Sequence, residues 1–414
     1  MQDKLASGDR YSADVSNTGV PGAPAPFPPH FPPHFGAPFA RRVRKVGAPL
    51  GVLIGLGTLA GVIVIGLTAV NPVGTAIGFV LSSIAITVVV LSYLWLDRWE
   101  PEPPRLLLFA FIWGTSAAVA ISGILQIFLE VWLNPAVNAG DDGVNPITLV
   151  IGAPITEEAA KGLFLLLMMS GNRRREMNSL TDCLVYAGLV GAGFAWLEDI
   201  LYIANGETVA ESLFTAALRL VMAPFAHSLF TTLFAIGVWY ALNQRSAPAK
   251  AGSLLLGYAG AVILHAMWNG SSLLGIEAYF GLYVFWMMPV FALAITLAVR
   301  SRRREQRVVA EKLPGMLAAG IITPNEASWL GSMGARKLAV AEATRFGGKQ
   351  AGTSVKKFAH QVVELAFVRD RIDRGFGDQR VTALLHEETH ALYAARAASP
   401  ALQYMANYRS RLSP

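Results

Sequence analysis

Long apolar runs separated by short polar breaks organise residues 46–300. A helix needs about 20 apolar residues to cross the hydrocarbon core of a bilayer. Runs long enough to do so are predicted near 46–70, 74–96, 106–133, 147–169, 181–204, 213–243, 251–275 and 279–299. After residue 300 the pattern changes: helical-period stretches such as 355–371 and 380–397 alternate with Pro314, Pro324 and Gly347-Gly348. Before residue 46 the chain is rich in proline and cannot bury enough apolar surface to offset the entropy of ordering. The first apolar run lacks a small-residue cleavage site, so it is expected to stay as an anchor. The predicted fold is all-α: a polytopic membrane helical bundle of about eight transmembrane helices over 46–300, a disordered tail over 1–45 and a small cytoplasmic helical domain over 301–414.

Composition supports this reading. With 53% hydrophobic and 15% charged residues the chain is too apolar for a soluble domain of its length. The single cysteine, Cys183, rules out an internal disulfide framework. The net charge of +6 does not point to nucleic acid, because the basic residues lie in short runs beside the apolar segments. Arg41, Arg42, Arg44 and Lys45, then Arg98 and Arg105, Arg173 to Arg175, Arg245 to Lys250 and Arg300 to Arg304 fall in alternate connections. The intervening ones hold Asn71-Pro72, Asp141-Asp142, Glu207 to Glu211 and Glu277 without Lys or Arg. The positive-inside rule then places both termini in the cytoplasm of a multi-pass cell-membrane protein.

Ionisable residues inside predicted spans cost on the order of 3 kcal/mol each on insertion scales and call for a partner or a function. The fourth span carries Glu157, Glu158 and Lys161, the fifth Glu198 and Asp199, the sixth Arg219 and His227, the seventh His265 and Asn269. Lys161 is three and four residues beyond the two glutamates and can lie beside both. Two carboxyls in low dielectric tend to separate in proton affinity, leaving one free for base work. His265 and Asn269 are one turn apart and could together hold a water and a developing oxyanion. Asp199 and Arg219 lie toward the outer ends of their spans, where an interfacial ion pair is expected.

In order, Glu157-Glu158-Ala159-Ala160-Lys161, Phe194 to Glu198, His227, and His265 with Asn269 form the patterns EExxK, FxxxE, an isolated His and HxxxN on successive spans. This set resembles the PrsW family of intramembrane proteases, and more distantly the superfamily of the CAAX prenyl proteases, which have a histidine at the position of Glu198. The resemblance implies hydrolysis of a membrane-anchored protein within the bilayer, an anti-sigma factor in the case of PrsW relatives. Under it Glu158 is expected to activate water, Glu157 and Lys161 to set its charge, His227 and His265 to position the water or carbonyl, and Asn269 to face the oxyanion. A zinc ion on His227, His265 and Glu198 is the alternative, and both mechanisms stay open.

One further motif stands apart: His386-Glu387-Glu388-Thr389-His390 fits HExxH, but residues 391–414 supply no His, Asp, Glu or Cys as a third ligand. A solvated helix face with a chance match, or a structural metal, is the expectation there rather than catalytic zinc. A proton- or ion-coupled transporter and a non-enzymatic membrane scaffold are the rival functions, since intramembrane charges also build proton relays and glue helices.

Overall fold

A computed structural model of the chain describes residues 47–133 and 145–410; the proline-rich tail, Arg41 to Lys45 and Asp141-Asp142 lie outside the described residues. Among the described residues every regular element is helical. In chain order they are α1 (Leu50–Val70), α2 (Pro72–Leu96), α3 (Pro104–Leu133), α4 (Ala153–Met168, entered through a π-helical turn at Thr148–Gly152) and α5 (Leu180–Ala204). There follow α6 (Val209–Ala216, ending in a π-helical turn at Ala217–Met222), α7 (Ala226–Leu242), α8 (Ala247–Leu273) and α9 (Ile276–Ala318).

Among the described residues 7 helical segments are long and apolar enough to cross a membrane, with α6 and α7 counted as one. The remaining expected span is α4, whose apolar run is interrupted by Glu157, Glu158 and Lys161. It packs nonetheless inside the bundle, against α3, α5, α7 and α8.

The axis of the bundle is α5. Of its most apolar stretch 89% is buried within the protein, against 11% for α1, whose side chains face outward toward lipid. Small residues make this possible, because without a hydrophobic drive between helices in lipid, association rests on close packing. At Gly191 an added Cβ would lie 2.6 Å from the Ser228 Cα and 2.7 Å from the His227 carbonyl, so only glycine lets α5 and α7 touch backbone to backbone there.

The predicted run 213–243 is in fact two helices. The chain leaves helical geometry at Ala223 (φ −125°, ψ 37°), and α7 begins at Ala226, directly before His227. Pro224 lies in this break; it has no amide hydrogen to donate and its ring clashes with the preceding turn. The last predicted span also differs, since α9 continues far beyond residue 299 as one helix that tolerates Pro314.

The polar third of the chain forms α10 (Pro324–Leu330), α11 (Met333–Arg371), α12 (Gln379–Ala397) and α13 (Ala401–Tyr404) around a core of its own that includes Val309, Trp329, Phe358, Val362 and Leu392. Helix α11 bends at Gly348, which takes φ 72°. These helices pack on one end of the bundle. Arg175 Nη1 donates to Glu387 at 2.9 Å, Arg374 Nη1 to Asn243 Oδ1 at 2.8 Å, and Arg245 Nη2 to the Gly375 carbonyl at 3.0 Å. The α4–α5 and α7–α8 connections therefore lie on the same side as the C-terminal helices, as does α2–α3, whose Glu100 faces Glu364.

Candidate active site

Four helices meet around one buried amine. Lys161 on α4 is completely buried, and its Nζ lies 2.9 Å from Glu158 Oε1, 3.4 Å from Glu157 Oε2 and 2.9 Å from His227 Nδ1. An ammonium has three N–H donors and these are three acceptors. The same amine sits 3.8 Å above the Phe194 ring of α5, a cation–π contact that replaces part of its lost hydration.

This geometry assigns the proton positions on both imidazoles. His227 Nδ1 accepts from Lys161, so its Nε2 carries the hydrogen and donates to Glu198 Oε2 at 2.7 Å. His265 Nδ1 lies 3.1 Å from Glu158 Oε1, and a hydrogen there leaves the Nε2 lone pair facing Glu157 Oε2 at 3.9 Å. Two acceptors facing each other at that separation call for something between them that donates: a water, a proton or a cation. His265 is also stacked on Phe230 (centroids 4.5 Å), which fixes its ring plane.

The two adjacent glutamates differ. Glu158 accepts from Lys161, His265 and Thr231 Oγ1 (3.1 Å), so its lone pairs are largely committed. Glu157 accepts from Gln126 Nε2 at 3.2 Å and from Lys161 at the longer 3.4 Å, and turns its remaining capacity toward His265. Glu198 is held by His227 and by Arg219 Nη2, whose Nε donates to Asp199 Oδ1 at 2.6 Å. The ion pair expected of Asp199 and Arg219 therefore forms, and it reaches into the site through Glu198.

Of the predicted residues, Glu157, Glu158, Lys161, Glu198, His227 and His265 are joined in one network. Asn269 stands one turn from His265 and donates from Nδ2 to the Leu149 carbonyl at 3.0 Å, tying α8 to the entry of α4. Sequence reasoning passed over Thr231 and Gln126. Thr231 lies one turn after His227 on the same face, and Gln126 is a primary amide in an apolar span; both signals were available.

The fit to a metal rests on the donor set. Glu157, His227 and His265 offer ligand atoms that all lie within 4.8 Å of one another, the one such group among the described residues. Two imidazoles and a carboxylate are a composition found in catalytic zinc sites. The carboxylate is Glu157, whereas the sequence pointed to Glu198, which here is engaged by Arg219. Charge also allows a cation: four carboxyls (Glu157, Glu158, Glu198, Asp199) face two permanent cations (Lys161, Arg219), so full ionisation would leave an excess of two negative charges. In low dielectric that excess must be met by protons or by a divalent ion. The HExxH segment has no such convergence: His386 Nδ1 faces its own helix at the Thr382 carbonyl (2.8 Å), Glu387 is paired with Arg175 and Glu388 with Gln361.

Comparison with known proteins agrees with this geometry. Residues 102–294 match the model of the "PrsW family intramembrane metalloprotease". A protein named Protease PrsW from Geobacillus kaustophilus (strain HTA426) is 28% identical over 156 residues, 37% of this chain and 61% of that protein. The chain thus spans less than two thirds of this curated relative's length. No solved structure matches. The matched segment contains α4, α5, α7 and α8 with every residue of the buried network, and through that membrane core the chain is similar to the PrsW family.

Proposed function

We propose that this protein is an intramembrane endopeptidase that cleaves a membrane-anchored protein, with Glu157 and His265 at the reacting centre. The observation that carries the reading is the facing pair Glu157 Oε2 and His265 Nε2, 3.9 Å apart, in a site closed by residues that are almost entirely buried. Glu157 takes the proton of a water held there, because it is the less committed carboxylate and a general base must have a free lone pair within reach. His265 orients that water. Lys161 keeps the two neighbouring glutamates together and holds His227, whose Nε2 hydrogen is directed by Glu198. Glu158 thus becomes the positioning carboxylate rather than the base suggested by the sequence. Asn269 keeps a second amide hydrogen for the developing oxyanion while the first is tied to Leu149.

Glu157, His227 and His265 would hold a zinc ion once His227 gave up its contact with Lys161 or with Glu198 to free a ring lone pair, and the ion would supply Lewis-acid polarisation of the scissile carbonyl. We further propose that both termini are cytoplasmic, that residues 301–414 form a cytoplasmic domain, and that the substrate is an anti-sigma factor; alternating basic connections and the family support these.

The test is cleavage of single-span membrane proteins, a membrane-anchored anti-sigma factor among them, by purified protein in detergent. Wild type should cut, and Glu157→Gln should not while remaining folded. Full cleavage by Glu157→Gln would reject the assignment. Loss of cleavage on chelation, restored by zinc alone, would establish the metal; cleavage unchanged by chelation would establish the proton network.

A further inference from the structure

A second feature lies on the opposite face of α7. Leu229 and Thr232, turned away from the His227 face, line a cavity of about 500 Å³ between α2, α7 and α9. Its wall is apolar apart from Ser92, Tyr93 and Thr232, and it runs along Leu91, Trp95, Ala294 and Ala298 to the end of the bundle where the C-terminal helices pack. One turn beyond Ala298 stands Arg302, whose guanidinium lies 4.0 Å above the Trp95 ring. Its Nε is buried without a hydrogen-bond partner. Arg98, exposed at the end of α2, adds a second positive charge close enough to act on Arg302. The opposite charge felt there, Glu305, is turned aside to accept from Ser179 Oγ at 2.9 Å. Neither arginine forms an ion pair among the described residues.

We propose that this groove binds an anionic phospholipid of the leaflet on the side of the C-terminal helices, with one acyl chain along α2 and α9 and the phosphate between Arg98 and Arg302. The two halves match the two halves of such a lipid. An apolar slot takes a hydrocarbon chain, while the two arginines at its end, neither held in an ion pair, take the phosphate. Trp95 belongs at that level, where an amphipathic ring sits among headgroups. Because α7 carries Leu229 on one face and His227 on the other, a chain seated in the groove braces the helix that presents the imidazole. The binding proposal does not depend on the peptidase reading, since the lipid is read directly rather than through cleavage.

The experiment is native mass spectrometry of the full chain, released from detergent containing equal amounts of phosphatidylglycerol and phosphatidylcholine. Wild type should retain phosphatidylglycerol over phosphatidylcholine by about thirtyfold, the scale set by two interfacial arginines. Arg98→Gln with Arg302→Gln should bring the ratio to near unity. Ala298→Phe, which fills the groove and leaves both charges, should lower retention of both lipids. Arg303→Gln with Arg304→Gln, exposed on the same helix, should change nothing. Equal retention by wild type overturns the proposal. So does an equal loss in the Arg303/Arg304 variant, which would mean diffuse charge, or competition by glycerol phosphate, which would mean that the groove is not used. A thermal melt of each variant in detergent separates loss of lipid from loss of fold.

Discussion

Two buried sets of acidic residues, one inside the membrane bundle and one where the C-terminal helices meet it, satisfy the same carboxyl group in different ways. Inside the bundle each carboxylate meets a cation or an imidazole: Glu157 and Glu158 meet Lys161 and His265, and Glu198 and Asp199 meet Arg219. At the junction the carboxyls meet hydroxyls, amides and one another. Glu102 accepts from Tyr186 (2.5 Å), Glu100 from Asn178 (2.6 Å) and Glu305 from Ser179, while Glu100 Oε2 has no donor and faces Glu364. His360 Nε2, 3.3 Å from Glu364, Arg175 beside Glu176 and Arg302 near Glu305 are basic groups close to this set. Side-chain cations therefore offset half of the intramembrane carboxyls, whereas the junction set relies chiefly on bound protons. Burial accordingly raises Asp97 to about 8, Glu364 to about 8 and Glu176 to about 7, and pushes Glu100 and Glu102 well above the carboxylate range.

The strongest way to break the contrast is Lys161→Met. It removes the cation on which two glutamates and His227 depend, and breaking a buried pair from one side costs about 3–5 kcal/mol. The bundle should lose its cooperative thermal transition in detergent, and an unchanged melting temperature would show that the glutamates do not need the amine.

Next in size is the response of the junction to pH. An undocked, solvated carboxyl titrates near pH 4, whereas the docked groups hold their protons up to about pH 7–8. The docked state thus binds more protons in that window. Its stabilisation is complete below about pH 4, falls as pH rises and is lost above about pH 8, at most about tenfold in the docking equilibrium per group and pH unit. Hydrogen exchange of the 355–371 segment should therefore be slower at about pH 6 than at about pH 9 after correction for intrinsic rates. The same protection at both values would mean that the carboxyls are neutralised by something other than protons.

Glu100→Gln is the next smaller change. It keeps the shape and the bond from Asn178 but removes one titrating group, so the pH dependence of that exchange should flatten while protection at the lower pH is kept. Thr231→Val, the mildest, deletes one hydrogen bond to Glu158 and should lower thermal stability by about 1 kcal/mol without abolishing cleavage. A complete loss of cleavage would place Thr231 in the chemistry.

Much of this was legible in the chain itself. Apolar runs of spanning length follow from the thickness of a bilayer, and the spacing of Glu157, Glu158 and Lys161 follows from helical geometry, so these could be read without coordinates. That His227, His265 and Glu198 belonged with them was a matter of shared depth and of charge that lipid does not tolerate unpaired. Periodicity could not show the break at Ala223 to Phe225, because hydropathy continues across it, nor the extension of α9, because its basic residues looked like the end of a span.

What only tertiary structure decided is which face meets which. The residues of the site, down to the i, i+3 and i, i+4 geometry on α4, were determined by the sequence alone. Their roles came from the rotation and separation of α4, α5, α7 and α8, set by contacts such as Gly191 against Ser228 that no single helix encodes. That packing turned Glu157 rather than Glu198 toward His265 and aimed Asn269 at Leu149. It also brought Glu364 against Glu100, residues far apart in sequence. A carboxylate becomes base, ligand, anchor or proton store according to what faces it, and facing is a property of assembled helices rather than of a string of residues.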